Sequence, residues 1–226
     1  MSFLTDEIAR LQKTLTADLT QHALQVLKHE CKVSPNSIAG KNSPKAGEYF
    51  PAFILPNAYG QLINSRDLLS QGPLVISFFK GQWHPYCNLE LRAFQHFLPE
   101  IKSRNAQLTA ITPMLPSHCM EIQESAKLDY EVLSDVGNRL ARELDLTYRL
   151  ADEVIDVYLE AGYDLSAING DDSWQLPVPA TYLIESSGKI ALAHIDTDDS
   201  KRLDPTAIIA VLSAIQDTSD KTQQRY

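Results

Sequence analysis

The run Leu74–Phe79 (LVISFF) is dense in strand-forming side chains, and shortly after it Leu91, Phe94, Phe97, Leu98 and Ile101 recur at helical spacing. A buried strand that hands over so quickly to an amphipathic helix commits the chain to an α/β layering, with the strand inside a sheet and the helix on its face. Pro85 suits the first helical position, where its missing N–H costs nothing. Cys87 then falls in the first turn, close to unpaired backbone N–H groups and to the positive end of the helix dipole, both of which favour thiolate over thiol. A free cysteine with pKa about 8.5 is only a few per cent ionised at neutral pH, and such a site lowers that value by one to several units. The bland alternative is an inert buried thiol behaving as a small hydrophobe.

The rest of the chain extends the same alternation. Further strands are expected at Ala52–Leu55, Leu108–Thr112, Tyr130–Leu133, Thr181–Ile184 and Ile190–His194, the last two joined by the turn Ser186-Ser187-Gly188, and a final helix at Pro205–Ile215. Helical patterns fill most of the gaps, which implies a central mixed sheet with helices on both faces. Leu4, Ile8, Leu11, Leu15, Leu19 and Val26 trace one face of a long N-terminal helix that starts near Ser2–Thr5 and fades around Glu30. Between Val33 and Glu48 the composition turns to Ser, Pro, Asn, Gly and Lys. The expected organisation is a helical extension over 1–32, a linker over 33–48, a main domain over 49–216 and a polar tail over 217–226. The extension is either a dimerisation element, making a homodimer, or a cover on the domain.

Composition narrows the function. A net charge of -9 with no basic cluster speaks against nucleic acid and anionic membranes as partners. No run approaches membrane-spanning length, and the acids within MSFLTDEIARLQ do not fit a secretory signal. Three cysteines form no paired framework, which fits a reducing compartment. A soluble, cytoplasmic protein is expected.

The segment FFKGQWHPYCNLELRAFQ resembles the active-site region of the peroxiredoxin (AhpC/TSA) family, in particular a branch whose usual text is close to RGxWCPYCNLEL. GEYFPAFILPNAYG, ITPMLP, YEVLSDVGNRLARELDL and NGDDSWQLPVPATYLIESSGKIALAHID extend the resemblance through most of the chain from Gly47. It implies a thioredoxin-like fold of peroxiredoxin type, a peroxidatic role for Cys87, a place in the active-site network for Glu90, and a pocket bordered by Trp83, Pro85, Tyr86 and Pro179. It also implies a peroxide substrate, thioredoxin or another thiol as reductant, and no cofactor or metal. Pro179 is expected to follow a cis peptide bond, as in the proline loop of thioredoxin relatives.

Three departures touch the peroxide-handling groups. Where typical members carry a Thr or Ser three residues before the reactive cysteine and a Pro seven before it, this chain has His84 and Lys80. Where the WCPYC branch carries a first cysteine, it again has His84, so no local Cys-x-x-Cys disulfide can form. The arginine supplied by a late strand would fall near Pro179, leaving the usual guanidinium absent. An imidazole three residues from the sulfur can donate to it or, protonated, pair with the thiolate, unless it merely faces solvent. Lys80, at the end of the preceding strand, is a second possible cation beside the sulfur or else a surface charge, and Arg92 reads as solvent-facing or paired with an acid.

Cys119, in LPSHCMEIQ, is either a resolving cysteine or structural; the former requires local unwinding to bring the Cα atoms within about 7 Å. Cys31 reads as incidental. A zinc site from His84, Cys87, His118 and Cys119 is disfavoured because His118 and Cys119 are adjacent, and turn chemistry accounts for Asp171, Asp172 and Trp174 better than a calcium loop does. Two functions remain: a peroxidase cycling through a Cys87 sulfenic acid, and a thioredoxin-fold redox sensor or binding module without peroxidase activity.

Overall fold

The computed structural model describes residues 3–18 and 39–223. Its centre is a five-stranded sheet in the order β5-β4-β3-β8-β9, built from β3 (Leu74–Phe78), β4 (Gln107–Thr112), β5 (Glu131–Ser134), β8 (Ala180–Ile184) and β9 (Ile190–Ile195). The pairs β3–β4 and β4–β5 are parallel, whereas β8 runs antiparallel to both β3 and β9. The expected mixed sheet is present.

Alternation along β3 explains why both faces of the sheet need cover. Val75 joins Leu91, Phe94, Leu98 and Ile101 of α3 (Pro85–Lys102) and Ile208 and Leu212 of α8 (Pro205–Gln223) in one core. Leu74, Ile76 and Phe78 point the other way, into a second core with Tyr182, Ile184 and residues 140, 141 and 144 in and just beyond α5 (Arg139–Glu143). With every residue of β3 buried, the strand shows a continuous apolar run instead of an alternating one.

Several elements depart from expectation. The first strand is Ile54–Pro56 (β1), and it pairs with β2 (Leu62–Asn64) in a separate hairpin rather than in the main sheet. A second small antiparallel pair, β6 (Thr147–Arg149) with β7 (Gln175–Pro177), was not expected at all. Strands of three residues are too short for a period-2 pattern to register. Between β6 and β7 lie α6 (Asp152–Glu160) and α7 (Leu165–Asn169), which share a third apolar cluster with Trp83. The last helix continues past Ile215 to Gln223, through polar residues that carry no apolar periodicity but extend an already nucleated helix. The remaining described helices are α2 (Ser65–Ser70) and α4 (Pro116–Ser125).

Of the N-terminal helix, α1 (Phe3–Asp18) is described; Leu19, Val26, the end near Glu30, Cys31 and the first part of the linker lie outside the described residues. The described part serves as a cover. Leu4 and Ile8 are buried in a cluster with Tyr86 and Ala93 of α3, and Leu11 and Leu89 pack beside them. Among the described residues no helix is long and apolar enough to cross a membrane.

Candidate active site

Strand β3 ends at Phe78, and the chain turns through Gly81 and Trp83 to enter α3. Gly81 is required here by space: a Cβ on it would lie 2.4 Å from the Trp83 indole nitrogen. His84 is the N-cap residue with extended backbone angles (φ -92, ψ 115), and Pro85 occupies the start of the helix as expected. The imidazole makes no capping bond to the helix. Instead its Nδ1 lies 3.2 Å from Cys87 Sγ, one turn on.

The other side of the ring meets a residue the sequence did not suggest. His84 Nε2 is 3.2 Å from Asp199 Oδ2, and the same oxygen is 2.5 Å from Lys80 Nζ. Thiol, imidazole and carboxylate are therefore in line. With Cys87 as a thiol a neutral ring can accept at Nδ1 and donate to Asp199 from Nε2; with Cys87 as a thiolate the imidazolium donates to both. Lys80 is a correction to its reading as a surface charge: its side chain is 0% exposed, paired with Asp199 and placed 5.3 Å from the centroid of the Tyr148 ring. A lysine just beyond a central strand is buried when a counter-ion meets it there.

A guanidinium is also present, against expectation, and it comes from Arg202. Arg202 Nη1 donates to Glu90 Oε2 at 2.6 Å, and Nη2 lies 3.8 Å from Cys87 Sγ. Its Nε donates to the backbone oxygen of Asp199 at 2.8 Å, so acid and base are held as a unit. The loop that carries them follows β9 and is fastened by its own side chains: Asp196 accepts from the backbone N–H of Asp198, Asp198 from Ser200, and Asp204 from Thr206 at the head of α8. Glu90 is completed by Thr181, whose hydroxyl donates to Oε1 at 3.4 Å.

The charges decide the state of the sulfur. Burial pushes the Cys87 thiol up, but His84 and Arg202 pull it down, His84 also through its hydrogen bond, and against the opposition of Glu90 the balance falls below the ordinary thiol value. Burial likewise opposes ionisation of Asp199, yet Lys80, His84 and Arg202 hold its carboxyl well below the usual carboxylate range. Burial works against the charge of Arg202, but Glu90, Cys87 and Asp199 outweigh it and raise its pKa above the ordinary value. Moving the thiol proton to His84 leaves the total charge of the cluster unchanged, and that total is zero because Lys80 is balanced by Asp199 and Arg202 by Glu90.

The remaining sequence candidates are placed as follows. Trp83 and Tyr86 flank His84, with ring centroids 5.7 Å and 5.8 Å from the imidazole. Pro179 is buried immediately before β8, and its peptide bond is trans, which corrects the cis expectation; the chain is led into β8 by Val178, whose N–H donates to Leu146 O at 2.7 Å. Cys119 is buried in α4, outside the ionic cluster. Its sulfur lies 3.7 Å from Met114 O, and burial pushes its thiol up to about 12. His118 turns to Glu121, with Nδ1 2.9 Å from Oε2, and Arg92 is exposed. Asp171 accepts from the Ser173 backbone N–H at 2.6 Å, an Asx turn.

Comparison with known proteins agrees with this architecture. Residues 46–193 match the model of the AhpC/TSA family. The chain is similar to peroxiredoxin Bcp of Escherichia coli, 26% identical over 102 residues that make up 45% of this chain and 65% of the relative. It is similar also to the chloroplastic peroxiredoxin Q of Gentiana triflora, 27% identical over 43% of this chain and 44% of the relative. The matched segments thus span less than two thirds of these relatives. Among solved structures, peroxidoxin BcpB of Mycobacterium tuberculosis aligns at TM-score 0.60 and 21% identity, over 76% of this chain and 97% of that one. A peroxiredoxin 6 of Arenicola marina aligns at TM-score 0.62 and 19% identity, over 78% and 75%. These likenesses give the fold as thioredoxin-like, of peroxiredoxin type. With the family model matched over more than half of its length, the chain belongs to the AhpC/TSA family.

Proposed function

We propose that the chain is a thiol peroxidase of the WCPYC-type branch, with His84 in place of the first cysteine, in which Cys87 reduces hydroperoxides and an external thiol such as thioredoxin restores it. The observation that carries this reading is the His84 ring held 3.2 Å from Cys87 Sγ on one side and 3.2 Å from Asp199 Oδ2 on the other. The thiolate attacks one peroxide oxygen; an S–O bond forms as the O–O bond breaks, and the distal oxygen leaves as hydroxide or alkoxide. The sulfur is oxidised to sulfenic acid and the peroxide reduced to water or an alcohol. The leaving oxygen needs a proton, which the imidazolium of His84 supplies, with Asp199 fixing the ring. Arg202 keeps its own proton and stabilises the negative charge shared by sulfur and oxygens, the part expected of the arginine that is missing at Pro179.

Return to the thiol takes two equivalents of reductant. One thiol condenses with the sulfenic acid, releasing water and forming a mixed disulfide; a second displaces Cys87. A one-cysteine cycle is favoured because Cys119 is buried within α4 with its sulfur 3.7 Å from Met114 O, so that its use as a resolving cysteine requires that helix to unwind.

One observation favours the second reading, a redox sensor or binding module: the Cys87 side chain is 0% exposed. Rapid-quench trapping of Cys87 sulfenic acid with dimedone, after mixing with hydrogen peroxide, separates the two. Oxidation well above the free-thiol rate, slowed about 10²-fold or more in His84→Ala, is expected for general-acid assistance. A free-thiol rate in the unaltered protein sinks the peroxidase, and an unchanged rate in His84→Ala removes the histidine from the mechanism.

A further inference from the structure

Lys80, Cys87 and Asp199 are fully buried, and His84 is 3% exposed. Two aromatic rings flank the imidazole that bonds Cys87. Trp83 stands edge-on to it at 89° and Tyr86 is tilted at 45°. Each ring is held from outside by an element that is not part of the central sheet or of the helices flanking it. Trp83 packs edge-to-face on Tyr158 of α6, with centroids 4.9 Å apart at 67°. Tyr86 is buried under Leu4 and Ile8 of α1.

We propose that α1 and α6 form a size filter over Cys87, with Leu4, Ile8 and Tyr158 as its specificity-determining residues, so that the substrate is hydrogen peroxide rather than a bulky organic hydroperoxide. The inference rests on the peroxidase reading and specifies its substrate class. A molecule scarcely larger than water passes through the small, fast fluctuations of packed side chains. A hydroperoxide with an aromatic or branched tail needs Tyr86 or Trp83 to leave its seat, which requires α1 or α6 to open locally.

The test compares Cys87 oxidation by hydrogen peroxide and by cumene hydroperoxide, and in parallel Cys87 alkylation by iodoacetamide and by N-phenylmaleimide, read by mass spectrometry, in the unaltered protein and in Leu4→Ala/Ile8→Ala. The unaltered protein is expected to react faster with hydrogen peroxide. The variant is expected to gain about tenfold with cumene hydroperoxide, equivalent to about 1.4 kcal/mol less opening free energy, and similarly with the maleimide, while its hydrogen peroxide and iodoacetamide rates stay within about threefold. If that variant does not fold, Tyr158→Leu opens the other side of the filter and is read in the same way. Equal peroxide rates in the unaltered protein, or unchanged ratios of large to small reagent in the folded variant, overturn the filter. Slow oxidation by both peroxides together with a shifted alkylation ratio removes the peroxidase reading and the substrate assignment but leaves the steric gate in place.

Discussion

Asp199 touches no substrate in the proposed chemistry, yet its removal should be felt at the sulfur. Its Oδ2 is shared between Lys80 Nζ at 2.5 Å and His84 Nε2 at 3.2 Å, with no solvent to take its place. A hydrogen bond to a charged partner contributes about 1.5–3 kcal/mol. At 1.36 kcal/mol per unit, loss of that support for the imidazolium raises the pKa of the Cys87–His84 pair by about 1–2 units. Asp199→Asn alone confounds this result, because it strands the buried Lys80 ammonium. Breaking a buried pair costs about 3–5 kcal/mol of stability, and the freed cation itself favours thiolate. Lys80→Met/Asp199→Asn removes both charges, a replacement that buried pairs tolerate far better. In this double variant the pH profile of Cys87 alkylation by iodoacetamide, followed by mass spectrometry, should move up by about 1–2 units, and at a pH below both pKa values alkylation should slow about 10–100-fold. A profile that superimposes on that of the unaltered protein, with an unchanged circular dichroism spectrum, would refute the claim that Asp199 acts on the sulfur through His84.

The same carboxylate predicts an acid limb in stability. Its folded-state pKa is depressed, so its contribution is complete above the unfolded value of about 3.9 and is lost as pH falls through the folded one. Thermal melts from about pH 6 down to about pH 3 should therefore fall more steeply for the unaltered chain than for Lys80→Met/Asp199→Asn; parallel curves would count against the pairing. Arg202→Met should cost about 3–5 kcal/mol by stranding Glu90, and adding Glu90→Gln should restore most of that loss in denaturant titrations without restoring the oxidation rate. Recovery of both together would make Arg202 purely structural. Cys119→Ser should leave sulfenic acid formation and turnover with an external thiol unchanged within about twofold, consistent with a thiol that ionises only at about 12. A Cys87–Cys119 disulfide in non-reducing mass spectrometry of the oxidised unaltered protein would contradict the one-cysteine cycle.

The strand β3, the helix α3 and the position of Cys87 between them are legible in the sequence because each is written in local periodicity and in one proline. Asp199 and Arg202 are not, because their partners are remote: Lys80 lies 119 positions from Asp199, and Glu90 lies 112 from Arg202. The segment Asp196–Asp204 carries the composition of an exposed turn, and its shape is fixed by the stitching of its aspartates to its own backbone together with the ion pairs to Lys80 and Glu90. An arginine sought at Pro179 was sought at one sequence position, whereas what the sulfur needs is a guanidinium at one place in space, which a loop can bring.

The sequence nevertheless contains a demand that points to this loop. Lys80 sits just beyond a wholly buried strand, and Glu90 shares the inward side of α3 with Cys87 and Leu91. A cation and an anion fixed in the interior on separate elements each need a counter-charge, since unpaired burial costs several kcal/mol per ion. The pair Asp199 and Arg202, three residues apart, meets both demands from one short stretch and brings no net charge into the core. It leaves the imidazole between an acid and a thiol, so that the groups fulfilling the structural requirement also favour the ionised sulfur. This coupling is why the position and charge of Lys80, which the sequence allowed to be no more than a surface charge, are central to the site.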